Sequence, residues 1–178
     1  MKKSLVAAGI IIALGVVWTG GAWYTGKQLE SRIADMVQQA NAQLQSSAPQ
    51  AGVELTYQDY QRGLFSSRLQ LVLKPIAGKA PRWLAAGQSL VFDEVVDHGP
   101  FPLASLKSFN LAPAMASVKI TLVNNEASKS LFDIAKGETP FTIDTRIAYS
   151  GDNQSAIVLK PLDYAKDDEK VTFSGGQF

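Results

Sequence analysis

From Ser4 to Gly26 the chain runs for 23 residues without a charge, and this run constrains the fold more than anything after it. At about 1.5 Å per residue, a helix of that length covers the roughly 30 Å hydrocarbon core of a bilayer. Leu5 to Val17 is aliphatic apart from Gly9 and Gly15, and Lys2 and Lys3 close the near end. Trp18, Trp23 and Tyr24 gather at the far end, where amphipathic rings favour the headgroup layer. The expectation is a single transmembrane anchor over residues 1–26. Its partner is the lipid bilayer, and Lys2, Lys3, Trp18, Trp23 and Tyr24 mark the membrane interfaces. A cleaved signal peptide is the competing reading, since Lys2 and Lys3, an apolar stretch and the small residues Gly20 and Ala22 supply its three regions. The stretch is long for that purpose, cleavage would fall before bulky Trp23, and the following sequence continues as helix.

Lys2 and Lys3 against Lys27 and Arg32 give neither flank an excess of positive charge. The short amino-terminal tail favours staying cytoplasmic while the large remainder translocates. In a bacterium this predicts an inner-membrane, single-pass protein with the bulk of the chain periplasmic. Small residues four apart, Ser4 with Ala8, Gly9 with Ala13 and Ala22 with Gly26, would let two helices approach closely in a homodimer. Plain packing against lipid is the alternative.

Lys27 to Ala48 reads as an amphipathic juxtamembrane helix, with Leu29, Ile33, Met36, Val37, Ala40 and Leu44 at spacings of three and four. It is predicted to continue the anchor without a break and to stop before Pro49. Its stripe is too short for a coiled coil, so packing on the following domain is its expected use.

From Val53 the period changes to two. Val53, Leu55 and Tyr57, then Leu69, Leu71 and Leu73 after a turn at Arg62 and Gly63, form a predicted β-hairpin. Further strands are expected at 88–96, 117–123, 141–149, 156–159 and 170–173, with one short helix over 128–136 between Ser128 and Gly137. Too little helix remains to cross over between parallel strands. The expected fold class is therefore α+β: a transmembrane helix running into an amphipathic helix, then an antiparallel β-meander over 49–178. Leu71 to Ile76 is echoed by Ile157 to Leu162, each an apolar strand ending at Lys-Pro, through convergence on a strand terminator or through duplication. The last residues, Val171 to Phe178, still read as a strand near a glycine turn, so a longer chain is expected.

Composition excludes several chemistries. There is no cysteine, hence no disulfide framework, thiolate metal site or cysteine nucleophile. The net charge of +1 provides no basic face, so no nucleic-acid partner is expected. Without Lys2 and Lys3 the remainder holds 15 basic and 16 acidic side chains. Neither a nucleophile elbow nor a phosphate-cradling glycine loop is found, and no cofactor is expected. Asp163, Asp167, Asp168 and Glu169 are interleaved with Lys166 and Lys170 and lack the calcium-loop glycine, so a solvated hairpin loop is expected there rather than a metal site.

The single histidine, His98, lies in Asp97-His98-Gly99-Pro100-Phe101-Pro102, the candidate functional loop. A catalytic reading would pair His98 with Asp97 or Glu94 as an oriented base. Neighbours on an extended strand point to opposite faces, which opposes the Asp97 pairing unless the chain bends. The alternative is a rigid loop whose Phe101 plugs the core. No catalytic residue is assigned.

Lys3-Ser-Leu-Val, the run from Ala13 to Gly26, Arg62-Gly with Phe65-Ser-Ser67, Val96 to Leu103, Thr121 to Glu126 and Lys136 to Phe141 together resemble the YdgA-like family of Gram-negative bacterial envelope proteins. The resemblance runs along nearly the whole chain. It implies one amino-terminal inner-membrane anchor, dimerisation, a longer β-rich continuation and no established activity. It assigns no catalytic residues. Residues and resemblance together predict a membrane-anchored binding or scaffold module with a lipid or an envelope protein as ligand. The alternatives are an envelope enzyme using the His98 loop, or a portion that only localises and nucleates a longer sheet.

Overall fold

The helical period carried by Leu29, Ile33 and Val37 does extend unbroken through the amino-terminal run. In the computed structural model α1 is one helix, Lys2–Ser47. The structure describes the backbone of residues 2–166 and 169–177, and the side chains of residues 15–162 and 172–177. The side chains of Lys2, Lys3 and most of the expected anchor, with the Ser4/Ala8 and Gly9/Ala13 pairs, lie outside the described residues. Among the described residues no helix is long and apolar enough to cross a membrane.

Strands β1 (Val53–Arg62), β2 (Ser66–Pro75), β3 (Leu90–His98), β4 (Ala116–Leu122), β5 (Phe141–Ile147) and β6 (Asn153–Leu159) follow one another as neighbours in an antiparallel meander. A short β9 (Gly176–Gln177) pairs with β6 and completes a seven-stranded sheet. Chain order equals spatial order because each glycine-bearing connection returns the chain directly to the adjacent edge. A separate hairpin, β7 (Leu162–Lys166) and β8 (Glu169–Phe173), occupies the segment expected to hold a solvated hairpin loop and a strand at 170–173; β8 is that strand, and β7 is additional. Its strands absorb Asp163 and Glu169, while Asp167 and Asp168 lie outside the described residues. Two short helices are present where one was predicted: α2 (Leu103–Lys107) and α3 (Lys129–Ile134). Ser128 precedes α3 but its side chain makes no cap; its hydroxyl instead donates to the Val123 carbonyl at 2.7 Å.

The helix lies on the sheet with Ile33, Leu69, Val96 and Ala116 as the buried centre and Leu29, Tyr60, Leu71, Val118 and Ile147 packed around them. Alternation along β2, β3 and β4 brings Leu69, Val96 and Ala116 to this face. Tyr60 reaches it because a bulge between Gln58 and Gln61, with Asp59 at φ 53°, resets the alternation of β1. Strand β1 is an edge, and α1 covers it through one side chain. Asn41 accepts from the Leu55 N–H and donates to the Leu55 carbonyl, both at 2.7 Å. An edge strand with unpaired backbone groups invites pairing with other chains. Asn41→Ala is expected to cost about 2 kcal/mol, for two lost bonds and two backbone groups left unpaired. Urea unfolding of the complete protein in detergent, read by tryptophan fluorescence, checks this value.

Candidate functional site

His98 is the last residue of β3, on the same face as Glu94 and Val96, and it ends up between the sheet and α1 with 1% of its surface exposed. Its Nδ1 lies 3.2 Å from the Leu64 carbonyl and its Nε2 2.9 Å from the Ser67 hydroxyl. A carbonyl only accepts, so Nδ1 carries the proton and Nε2 accepts from Ser67. The Tyr60 hydroxyl stands 3.4 Å from Ser67 Oγ and continues the chain. Every polar atom of the ring is thus matched in the neutral state. Burial lowers the His98 pKa below 6.5, opposed by the Leu64 carbonyl, and the Arg62 cation lowers it further while Asp97 raises it.

The other loop residues serve the same joint. Asp97 points to the opposite face, where its carboxylate accepts the Ala104 N–H at 2.7 Å at the start of α2. It therefore orients that helix and not the imidazole. Gly99 has no room for a side chain: a Cβ there would collide with the Ala114 carbonyl and lie 2.7 Å from that of Met115. Pro100 packs on the helix so closely that a Cβ added at Gly21 would lie 2.7 Å from its Cδ. Phe101, expected to plug the core, is only half-buried, and its carbonyl accepts the Trp18 indole N–H at 3.1 Å. The buried residues of the loop are His98, Gly99 and Pro102. A bend locked by two prolines directs backbone at the helix, and the strand alternation before it sends the histidine inward.

On the helix side, the buried stripe begins well before Leu29. Trp18 stacks near Phe65 with ring centroids 4.9 Å apart, Ala22 is fully buried, and Gly26 faces the imidazole. Trp18, Ala22, Gly26, Leu29 and Ile33 form one line at helical spacing. The Ala22/Gly26 pair, weighed as a dimer contact, is therefore covered by the protein's own sheet. Trp23 lies under two cations, Lys27 at 5.3 Å and Arg62 at 5.6 Å, and Arg62 also binds Glu30 at 2.7 Å. Tyr24 is exposed and accepts from Gln28 at 2.7 Å.

Further along, α1 and the sheet leave an apolar cleft of about 200 Å³ bordered by Ile33, Met36, Val37, Leu55, Leu71 and Glu94. Glu94 is its one ionisable group, and burial raises its pKa above 4.5. Sequence reasoning missed Ser67, Asn41 and the Trp18 to Gly26 stripe. Among the described residues no group of three or more His, Asp or Glu side chains could hold a metal ion.

Comparison with known proteins gives the following. The family described as "Bacterial protein of unknown function (DUF945)" matches residues 1–178. Protein YdgA of Escherichia coli K12 is 66% identical over 178 residues, which is all of this chain and 36% of YdgA. The uncharacterized protein YihF of the same organism is 35% identical over 178 residues, again 36% of its length. An uncharacterized protein of Haemophilus influenzae is 29% identical over 175 residues, 97% of this chain and 46% of that one. The chain thus spans between a third and a half of these relatives. No solved structure matches.

Proposed function

We propose, for a chain that belongs to the DUF945 family of YdgA-like bacterial proteins of unknown function, that it is a single-pass inner-membrane scaffold whose periplasmic sheet is held on its anchor without a flexible joint. The observation that carries this reading is the continuity of α1. The uncharged run and the helix that fills the sheet's apolar face are one element, Lys2–Ser47, and the His98 loop grips it at the crossover. A linker of ordinary kind would let a domain tumble; a shared helix fixes its height and orientation. The apolar cleft beside Glu94, at about 200 Å³, is smaller than the roughly 300–1,000 Å³ of small-molecule sites, and the scaffold reading assigns partner binding to a surface. The enzymatic alternative gains no support from an imidazole with both nitrogens committed to the fold.

The test is fractionation of cells carrying the complete protein. Retention in alkaline-carbonate-washed membranes, with digestion by protease added to spheroplasts, is expected. Release by carbonate, or protection in intact spheroplasts, contradicts the reading.

A further inference from the structure

We propose that the end of the sheet from which α1 emerges is a bilayer-docking surface seated in the headgroup layer; this rests on the anchor reading above and deepens it. Trp18 is held by Phe65 and by the Phe101 carbonyl, so the turns free to enter lipid end at Val17. Ser4 to Val17 is 14 residues, about 21 Å of helix against a hydrocarbon core of roughly 30 Å. A span too short by about 9 Å draws the flanking structure toward the membrane.

The flanking structure is suited to that depth. Three connections close this end of the sheet: the β1–β2 turn, the segments on either side of α2, and the β5–β6 turn. Backbone bonds tie the first two into it, with His98 N–H donating to Phe65, Gly99 to Met115, Ala114 to Pro100 and Met115 to Ile147. They carry apolar side chains into solvent. Phe109 is 91% and Leu111 70% exposed, and Leu64 and Tyr149 are exposed as well. From His98 to Ala116 the one formally charged residue is Lys107, a cation. Exposed aromatic and aliphatic tips beside the Lys107 cation suit a lipid headgroup layer; the carboxylates nearby are Asp97, engaged by the Ala104 N–H, and Asp152 on the β5–β6 turn, which accepts from Ser150. Val16 and Val17, exposed on α1 immediately before Trp18, continue the same surface.

The absence of cysteine from these residues permits single-cysteine labelling. Phe109→Cys and Leu111→Cys, with Leu131→Cys on α3 and Ile11→Cys in the uncharged run as references, are made in the complete protein with any other cysteine replaced by serine. Each is labelled with an environment-sensitive nitrobenzoxadiazole probe and reconstituted in phosphatidylethanolamine–phosphatidylglycerol vesicles. Nitroxide lipids labelled near the headgroup are expected to quench the probes at 109 and 111 several-fold more than the probe at 131, and iodide several-fold less. Quenching at 11 by lipids with the nitroxide deep in the acyl chain, without headgroup-nitroxide quenching at 109 and 111, overturns the docking surface and leaves the anchor intact. No quenching at 11 by the acyl-chain nitroxide overturns both. Shielding of 109 and 111 from iodide without lipid quenching assigns the surface to protein contact and also overturns it.

Discussion

Gly26→Ala in the complete protein is expected to lower the unfolding free energy by about 2 kcal/mol, and Gly26→Val by about 3 kcal/mol or more, whereas Gly20→Ala raises it by up to about 1 kcal/mol. All three remove a helical glycine, so backbone propensity favours each change. What separates them is space. A Cβ at Gly26 would lie 2.5 Å from His98 Cε1 and 2.8 Å from Nδ1, while one at Gly20 meets nothing within 4 Å. The imidazole cannot swing aside without breaking its bonds to Leu64 and Ser67. Overpacking of a rigid neighbour costs more than the propensity gain returns. Urea midpoints read by tryptophan fluorescence suit the comparison, since Trp18 and Trp23 flank the contact. Equal effects at Gly20 and Gly26 would mean that the loop does not grip the helix.

The second large effect is at His98. Replacement by alanine removes a fully buried ring and strands the Leu64 carbonyl and the Ser67 hydroxyl, an expected loss of about 3–4 kcal/mol. His98→Gln keeps volume and hydrogen-bonding atoms, so its loss is smaller and its main signature is in pH dependence. The His98 pKa lies below 6.5 in the folded protein, so in that window the unfolded chain binds more protons than the folded one. The stability supplied by the neutral ring is present above pH 6.5 and is lost as pH falls toward and through the lowered value. His98→Gln flattens that loss. Glu94 acts with the opposite sign: its folded pKa is raised above 4.5, so its contribution is full below pH 4.5 and is lost as pH rises through the raised value. Unfolding free energies measured from pH 7.5 to 5.5 check the His98 effect, and an unchanged slope in His98→Gln would contradict it.

Elements defined by local periodicity were legible in the residues. Alternation gave the meander from β1 to β6, and the three-and-four spacing that begins at Leu29 and Ile33 marked the face of α1 that packs on the sheet, although Met36 and Ala40 at the same spacing are exposed. Helix α2 escaped because five residues hold too little period to register, and β7 because its alternating charges read equally well as a loop. The joint around His98 was hidden for another reason. Ser67 and Leu64 lie 31 and 34 residues away in the chain, and only the sheet register brings them to the ring. The stripe from Trp18 to Gly26 is visible in hindsight as an extension of Leu29 and Ile33 at helical spacing. Lipid-facing and sheet-facing small residues look alike, however, when no charge marks the polar side. The pattern around Asp97 and His98 did carry one correct constraint, since opposite facing on a strand keeps the carboxylate from the imidazole.

The central claim is that one helix serves both as anchor and as core of the sheet, with the crossover near Trp18. Single cysteines placed in turn at Leu5, Ile11, Val16, Trp23, Lys27 and Met36 of the complete protein, reacted in spheroplasts with a membrane-impermeant thiol reagent, test it directly. The account predicts no reaction at 5, 11 and 16 and reaction at 23, 27 and 36, all exposed positions on the described part of α1. Reaction at 11 and 16 as fast as at 36 would contradict it.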